Sequence, residues 1–324
     1  MGVFTTLSHD DILSVLSHYP PCRLIQITGV PEGTVNTYYR LTTDTGLFYL
    51  RIDERGDELA VVHELALLDR LAGHLIPQAH RTTDGKSYRL VKGKPAILFS
   101  PLSGAALGLA EWTPDCFVQM GKWLGTMHSV AIPADLFPHR FNPQYLFTIW
   151  ERLQTQIKTL SPTADALLRD FFSCGWEAYT FPALPQRIIH ADLFPENILF
   201  EKKEKMWYLS GVLDFEAAGR GPRLLDLAIS LHALCFDIDR GAFHIDHARA
   251  LTRAYLDTAC DHMPLTRDER QAWPGLLRYG AVRFLITRLN DFELSPTKNK
   301  HEMRKDYREY LDHLACLPAL TALV

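Results

Sequence analysis

The sequence has 324 residues, of which 47% are hydrophobic and 22% are charged, and its formal net charge is −4. This length and hydrophobic content can fill one large core or two smaller ones. A slightly negative chain without a long basic run does not fit a dedicated nucleic-acid binder.

Simple patterns exclude further classes of protein. No window reaches the roughly 18 to 20 apolar residues that a membrane span needs. Residues 1–8 lack the basic start and the apolar centre of a signal peptide. The six cysteines lie far apart without a Cys-x-x-Cys pair, so the sequence predicts neither a zinc site nor a disulfide framework. We therefore expect a soluble, cytoplasmic protein with no membrane or nucleic-acid partner, and we make no prediction of its oligomeric state.

The first hundred residues predict a small β-sheet with two helices. Ser8, followed by acidic residues, is typical of a helix start, and Pro20-Pro21 ends that helix. A second helix is predicted at 58–72, where leucines recur at helical spacing. Runs rich in β-branched and aromatic residues predict strands at 23–28, 37–42, 47–52, 88–91 and 96–99.

The loop at residues 29–36 joins the first two predicted strands and contains two glycines. Such a loop could fold over phosphates and offer them backbone N–H groups. An ordinary hairpin turn explains the same glycines equally well.

The pattern becomes mainly helical beyond residue 104. Thr113-Pro114 is typical of a helix start, and apolar residues then recur at helical spacing as far as Met127. We interpret His128, at the end of this helix, as a buried structural histidine. Helical periodicity resumes between residues 147 and 179.

The most informative stretch runs from residue 187 to residue 216. Two short β-type runs, 187–189 and 198–200, flank a turn that holds Asp192 and Asn197, and the next apolar run ends at Asp214. Two carboxylates and an amide oxygen on loops make a hard-oxygen site, which suits Mg²⁺ and phosphates better than zinc. The alternative is that these polar side chains only cap a turn and satisfy nearby backbone.

This stretch resembles the catalytic core of the protein-kinase-like superfamily, in the version used by aminoglycoside phosphotransferases. The resemblance lies in the His-x-Asp pattern, the following Asn and the metal-binding Asp on the next hairpin. It implies that Asp192 is the catalytic base, that Asn197 and Asp214 bind Mg²⁺, and that His190 is a buried support. It also implies an α+β, bilobal protein-kinase-like fold. The small β-rich N-lobe would cover 1–100, and the larger, mainly helical C-lobe would cover 101–324.

The same resemblance implies an ATP site. Kinases carry a Lys on the third strand, paired with a Glu on the following helix, and here the pair would be Arg51 and Glu64. The alternative is that Arg51 faces solvent. The remaining expected contacts are Gly33 and Thr34 in the phosphate loop, and a hinge near 99–104 that would hold the adenine through Phe99, Pro101 and Leu102.

Three further residues are assigned near the expected site. Asp226 lies where the family has a buried Asp, and it is expected to accept hydrogen bonds from the catalytic-loop backbone. Arg283, on a predicted helix, could hold a substrate carboxylate, or it could be a solvated or core-bridging arginine. Glu216 could line the acceptor pocket, where it would favour an amine and repel a carboxylate.

Four segments narrow the resemblance to the bacterial type II homoserine kinases, which transfer the γ-phosphoryl group of ATP to homoserine on the route to threonine. Ala191 stands where aminoglycoside enzymes usually carry Gly. The chain departs from the homoserine kinase pattern at 33–38 and 215–218, and these departures bear on the acceptor. The four segments are 3–5, 190–197, 210–215 and 283–289.

The hypothesis is therefore an ATP- and Mg²⁺-dependent kinase of a small-molecule hydroxyl substrate, with homoserine as the first candidate. An aminoglycoside or choline/ethanolamine-type kinase and a Ser/Thr protein kinase of the same branch are the alternatives within the fold. A non-catalytic, nucleotide-binding pseudokinase is the alternative outside enzymes, motivated by Arg51 in place of Lys.

Overall fold

The computed structural model describes residues 5–31, 35–132, 136–260, 263–295 and 306–324. The chain packs as two compact units, and each is built from more than one stretch. The first unit comprises Met1–Ala105, Leu199–Glu201 and Ser210–Glu216, and the second comprises Ala106–Ile198, Lys202–Leu209 and Ala217–Val324. Within the described ranges, no helix combines the length and the apolar character needed to cross a membrane. The predicted lobes at 1–100 and 101–324 stay a prediction.

The first unit contains a five-stranded antiparallel sheet in the order β1-β2-β3-β5-β4. Alternate residues of β2 are buried, because successive side chains of a strand point to opposite faces. Lys92 and Gly93 have φ values of 50° and 76°, as a tight two-residue hairpin between β4 and β5 requires. The strands are β1 (Leu24–Val30), β2 (Thr37–Thr43), β3 (Gly46–Ile52), β4 (Arg89–Val91) and β5 (Lys94–Phe99).

Two helices complete the first unit, α1 (His9–Leu16) and α2 (Glu58–Arg70). The predicted start of α1 is a capping box, in which the Asp11 N–H donates to Ser8 Oγ (3.1 Å) and the Ser8 N–H donates to Asp11 Oδ2 (2.7 Å). Its apolar face joins Tyr39, Leu41 and Leu98 of the sheet in one core.

The second unit is mainly helical. Helices α3 and α7 approach closely because α3 carries glycines in the contact. A Cβ added at Gly121 would lie 2.3 Å from the Leu251 carbonyl oxygen, so any larger residue would push the helices apart. The helices are α3 (Pro114–Ser129), α4 (Pro143–Leu160), α5 (Pro162–Phe171), α6 (Arg223–Cys235), α7 (Ile245–Cys260), α8 (Arg267–Arg288) and α9 (Arg308–Cys316).

Short strands lie between these helices in the chain, and some of them flank the loops that carry the predicted site residues. Strand β7 pairs antiparallel with β10, and together they bracket the stretch that carries the predicted site. The strands are β6 (Ala105–Ala106), β7 (Gln186–Ile189), β8 (Ile198–Lys203), β9 (Met206–Val212), β10 (Gly219–Pro222), β11 (Phe236–Asp237) and β12 (Ala242–Phe243).

A buried ion pair fixes α6 against α8. Arg223, at the first position of α6, donates from Nε to Glu269 Oε1 (2.6 Å) and from Nη2 to Glu269 Oε2 (2.9 Å). Glu269 also closes the capping box of α8 with Thr266, and Arg223 Nη1 donates to the Met263 carbonyl. Both charged side chains are therefore hydrogen-bonded as well as paired, which is the condition for burying them.

We expect Arg223→Gln to lower the free energy of unfolding by about 3–5 kcal/mol, because it leaves the Glu269 carboxylate buried and unpaired. Urea titration measures this value. Arg253→Ala is the control, since Arg253 and Asp257 form an exposed pair at 3.8 Å, worth at most about 0.5 kcal/mol. Equal losses in the two variants would contradict the role given to the buried pair.

Two buried histidines in the second unit are held neutral. Burial, and then the charge of Arg283, lowers the pKa of His139 to about 4. Burial, and then the neighbouring His313, lowers the pKa of His232 to about 3. The His232 ring contacts the Leu277 carbonyl oxygen through Nε2 (2.8 Å) and His313 through Nδ1 (3.0 Å).

Stability should therefore fall on acidification. Each pKa is lower in the folded state than the unfolded value of about 6.5, so the unfolded chain binds the protons first. The stabilisation is complete above about pH 6.5 and is lost as the pH falls from there toward about 4, at about 1.4 kcal/mol per pH unit for each histidine. Urea unfolding between pH 7 and pH 5 measures the slope.

His232→Gln should reduce that slope by about 1.4 kcal/mol per pH unit, whatever it does to stability at pH 7. His9→Gln, at an exposed position of α1, is the control and should leave the slope unchanged. An unaltered slope in His232→Gln would show that this histidine does not carry the acid sensitivity.

Candidate active site

The loop between β7 and β8 presents Asp192 and Asn197. A short 3₁₀ turn at Pro195–Asn197 folds the loop back, and the Phe194 N–H donates to the Asp192 carbonyl oxygen (3.0 Å). The Asn197 side chain donates from Nδ2 to the same carbonyl oxygen (3.0 Å). Because its NH₂ group is turned into the loop, the amide oxygen of Asn197 is turned the other way and is suited to a hard cation.

Asp226, in the first turn of α6, organises the start of this loop. Its carboxylate accepts from the His190 N–H (2.7 Å) and the Ala191 N–H (2.8 Å), the bonds that the sequence led us to expect. His128, at the end of α3, contacts Asp226 Oδ2 through Nε2 (3.2 Å) and the Tyr255 hydroxyl through Nδ1 (3.0 Å). Burial alone would raise the pKa of Asp226, but the His128 and backbone hydrogen bonds hold it below its usual range.

The two bonds to Asp226 hold the loop in an unfavourable backbone conformation. Ala191 has a φ of +63°, in the left-handed region where a side chain costs about 1–2 kcal/mol. Asp214 also has a φ of +63°. Strained residues of this kind concentrate at functional sites, and Ala191 occupies a position that would suit glycine.

The Asp192 carboxylate is held by Arg283 of α8. Arg283 Nη2 donates to Asp192 Oδ1 (2.8 Å), and the side chains are 2% and 28% exposed, respectively. The guanidinium lies between the rings of Phe141 and Phe284, 3.9 and 3.8 Å from their centroids. His190 Nδ1 accepts from the Asp192 N–H (3.2 Å) and is fully buried. Both the backbone and the carboxylate of Asp192 are therefore fixed.

In the first unit, Arg51 of β3 pairs with Glu64 of α2. The two Nη atoms donate to the two carboxylate oxygens at 2.7 and 2.5 Å. Burial opposes the charge, but Glu64 raises the pKa of Arg51 above its usual value. Arg51 is 3% exposed and lies 5.3 Å from the centroid of the Phe99 ring. The alternative of a solvent-facing Arg51 is therefore wrong.

Glu216 lies beside this pair, two residues after Asp214. Its Oε1 accepts from Asn36 Nδ2, its Oε2 accepts from Arg55 Nη1 (2.7 Å), and Arg51 Nη1 lies 3.9 Å from Oε1. The Glu216 N–H points at Asp214 Oδ1, at a long 3.4 Å. Asn36 and Arg55 were not among the predicted site residues. Asn36 ends the glycine-containing loop, and this position could have identified it as a candidate. Nothing in the sequence singles out Arg55.

The predicted adenine segment follows β5. The Ser100 N–H donates to the Gln78 carbonyl oxygen (3.0 Å). Leu102 packs on β9, where a Cβ added at Gly211 would lie 2.9 Å from Leu102 Cδ1. Pro101 is exposed. The predicted phosphate-loop residues, Gly33 and Thr34, lie outside the described residues, as does the Val3-Phe4 segment used for the resemblance.

The predicted metal ligands belong to different units, Asn197 to the second and Asp214 to the first. Among the described residues, no three His, Cys, Asp or Glu side chains are grouped closely enough to hold a metal ion. A site with one carboxylate and one amide would not form such a group, so the assignment of Asn197 and Asp214 stays a prediction.

Comparisons with known proteins agree with this architecture. The model of the phosphotransferase enzyme family matches residues 26–267. The homoserine kinase of Zymomonas mobilis is 32% identical over 97% of this chain and 96% of its own length. The homoserine kinase of Methylocella silvestris is 36% identical over 90% of this chain and 88% of its own length.

A solved structure shows the same fold at low identity. Amicoumacin kinase in complex with AMP-PNP, Ca²⁺ and Ami superposes with a TM-score of 0.68, covering 96% of this chain and 95% of its own, at 15% identity. The expected α+β kinase-like fold, with a small antiparallel sheet and a larger helical part, is confirmed. The chain belongs to the phosphotransferase enzyme family and is a small-molecule kinase.

Proposed function

We propose that the protein is a homoserine kinase, which transfers the γ-phosphoryl group of ATP to the homoserine hydroxyl in a Mg²⁺-dependent reaction. The observation that carries this proposal is the similarity above 30%, over nearly the whole chain, to relatives named homoserine kinase. The product would enter the route to threonine. The cytoplasmic location and the lack of a nucleic-acid partner stay predictions.

Asp192 would act as the base. Its Oδ1 is bonded to Arg283, which leaves Oδ2 to accept the proton of the acceptor hydroxyl. The hydroxyl oxygen would bond to the γ-phosphorus as the bond to the β,γ-bridging oxygen breaks and ADP leaves. Because the transition state is loose, the contribution of Asp192 is mainly the orientation of the hydroxyl.

Asn197 and Asp214 would hold the Mg²⁺. Their oxygens are the hard ligands that this ion prefers, and the hydrogen bond from Asn197 Nδ2 to the Asp192 carbonyl selects the amide oxygen as the ligand. When bound, the ion neutralises charge that develops on the β- and γ-phosphates. Linking Asn197 to the Asp192 backbone would keep metal and base in a fixed relation.

The first unit would bind the rest of the nucleotide. Arg51, fixed by Glu64, would face the phosphates, and Gly33 and Thr34 would cover them. In the adenine segment, the Ser100 N–H is already bonded and Pro101 has none, so the Leu102 N–H would be the next backbone donor, since within the described ranges it makes no backbone hydrogen bond. Phe99 and Leu102 would supply apolar contact.

The alternative acceptors gain no specific support. Glu216 suggested an amine substrate, but its carboxylate is bonded by Asn36 and Arg55 of the first unit. Its assignment to the acceptor pocket stays a prediction.

Steady-state turnover with ATP and Mg²⁺ tests the proposal against homoserine, choline, ethanolamine, an aminoglycoside and a generic protein. We expect saturable turnover with homoserine. Asp192→Asn should lower kcat by about 10²–10⁴-fold, because the proton acceptor is lost, and should leave nucleotide affinity unchanged. Asp170→Asn is the control, since Asp170 is also paired with an arginine of α8, Arg278 (2.6 Å), but on the exposed surface.

Turnover with an amine alone would refute homoserine while keeping the chemistry. Nucleotide binding without turnover on any acceptor would favour the pseudokinase. Full activity of Asp192→Asn would remove Asp192 from the mechanism.

The 2.8 Å bond from Arg283 to Asp192 leads us to expect that Arg283 orients Asp192. The sequence also predicts that Arg283 binds a substrate carboxylate, and kinetics of an Arg283 variant can distinguish these two roles. Arg283→Lys should lower kcat by about 10- to 100-fold through misplacement of the base. The loss should be equal for homoserine and for 2-amino-1,4-butanediol, which lacks the carboxylate.

A rise in KM confined to homoserine would instead assign Arg283 to the carboxylate. Arg288→Lys is the matched control, because Arg288 is a buried arginine of the same helix that lies over the Tyr310 ring (4.4 Å) and pairs with Glu309. Its kinetic constants should not change.

A further inference from the structure

The carboxylate of Glu216 occupies a cluster of donors that is built to bind an anion. We call Asn36, Arg51 and Arg55, with the Glu216 carboxylate among them, the Glu216 cluster. All four residues belong to the first unit. Asn36 and Arg55 each bond one carboxylate oxygen, and Arg51 lies 3.9 Å away.

The side-chain amide of Asn36 is held in one orientation, with its NH₂ group directed at the cluster. Its Oδ1 accepts from the Glu54 N–H (3.1 Å), and its side chain is buried at 2% exposure. The bond to the backbone fixes the amide orientation, so Nδ2 must be presented to the cluster. Glu54 is itself held by Thr37 Oγ1 (2.6 Å) and Thr5 Oγ1 (2.9 Å). A buried NH₂ group of this kind needs an oxygen acceptor at all times.

The two arginines retain capacity for a further anion. Both Nη atoms of Arg51 are bonded to Glu64, and within the described ranges its Nε is buried without a hydrogen-bond partner. Arg55, on the loop between β3 and α2, is 35% exposed and bonds Glu216 through Nη1. Arg55 is therefore a second arginine with donors to spare, and it lies near Arg51, which is expected to bind phosphate.

We propose that Asn36 and Arg55 are binding residues for the phosphates of the nucleotide, and that the Glu216 carboxylate takes the place of a phosphate oxygen until the nucleotide displaces it. The inference rests on the proposed function in one respect, that the nucleotide phosphates lie beside Arg51. A carboxylate and a phosphate oxygen accept the same bonds from an arginine or an amide. The carboxylate and the phosphate cannot occupy these donors at the same time, because two anions about 4 Å apart repel each other strongly near a protein surface.

Glu216 is placed so that it can leave. It lies in a turn two residues after Asp214, and its two hydrogen bonds to the cluster both end on the terminal carboxylate of a flexible side chain. The apparent affinity of a ligand falls by the fraction of molecules in which its site is open. If the carboxylate fills the site in nine of ten molecules, its removal should tighten binding about tenfold.

The test is the affinity of Glu216→Gln for AMP-PNP, measured by calorimetry with and without Mg²⁺. We expect Kd to fall about tenfold relative to the unaltered protein in both conditions. The Kd of adenosine, which has no phosphates, should not change. Glu58→Gln, which removes an exposed carboxylate of the same unit that accepts from the Tyr88 hydroxyl, controls for net charge and should leave both Kd values unchanged.

A second variant tests the donors. In the Glu216→Gln background, Arg55→Gln should raise the Kd of AMP-PNP about tenfold and leave that of adenosine unchanged, because only a phosphate contact is lost. Thermal unfolding of each variant establishes that the first unit is folded.

The outcomes separate this inference from the proposed function. An unchanged or weaker affinity of Glu216→Gln for AMP-PNP would overturn the inference and leave the kinase assignment standing. Weaker binding only with Mg²⁺ would also overturn it, by making Glu216 a metal ligand. Binding of AMP-PNP by none of the proteins would refute the proposed function itself.

Discussion

The structure of the loop that carries Asp192 depends on one buried carboxylate, that of Asp226. A buried charge is stable only when donors surround it, and here two of the donors are backbone N–H groups of the loop that carries Asp192. The need to satisfy Asp226 therefore holds Ala191 in a left-handed conformation that it would not otherwise adopt. The Arg223–Glu269 pair fixes α6, and with it the position of Asp226, so two buried charges three residues apart on one helix set the loop.

Arginine in place of lysine changes which hydrogen-bond donors the first unit can offer to an anion. A lysine ammonium is a single point charge, whereas the Arg51 fork commits two Nη atoms to Glu64. The fork holds the helix and strand together more rigidly, but it leaves only Nε and the edges of the guanidinium for another anion. Nearby donors on Asn36 and Arg55 are the natural complement to this limitation.

Local rules predicted many of the elements, and the resemblance to kinases predicted two of the observed contacts, the Arg51–Glu64 pair and the bonds of Asp226 to the loop. The capping box at Ser8 and the glycine turn at Gly93 each follow from a few adjacent residues, so sequence alone could identify them. The Arg51–Glu64 pair was expected from the resemblance to kinases, which carry a paired Lys and Glu on the corresponding strand and helix. The Arg283–Asp192 bond joins residues 91 positions apart, and its geometry depends on how α8 packs, which periodicity does not encode. The same reason explains why Arg55, without a motif of its own, was missed.

The departure at Glu216 is bonded to the end of the glycine-containing loop. Glu216 and Asn36 lie 180 residues apart in the sequence, yet their side chains are hydrogen-bonded. Taken singly, Glu216 suggested a repulsive charge in the acceptor pocket. Bonded to Asn36 and Arg55 within the first unit, its charge is compensated by these donors. A glutamate at 216 and an arginine at 55 therefore form a matched pair within the first unit, and the proposed exchange with phosphate would tie this departure to the nucleotide rather than to the acceptor.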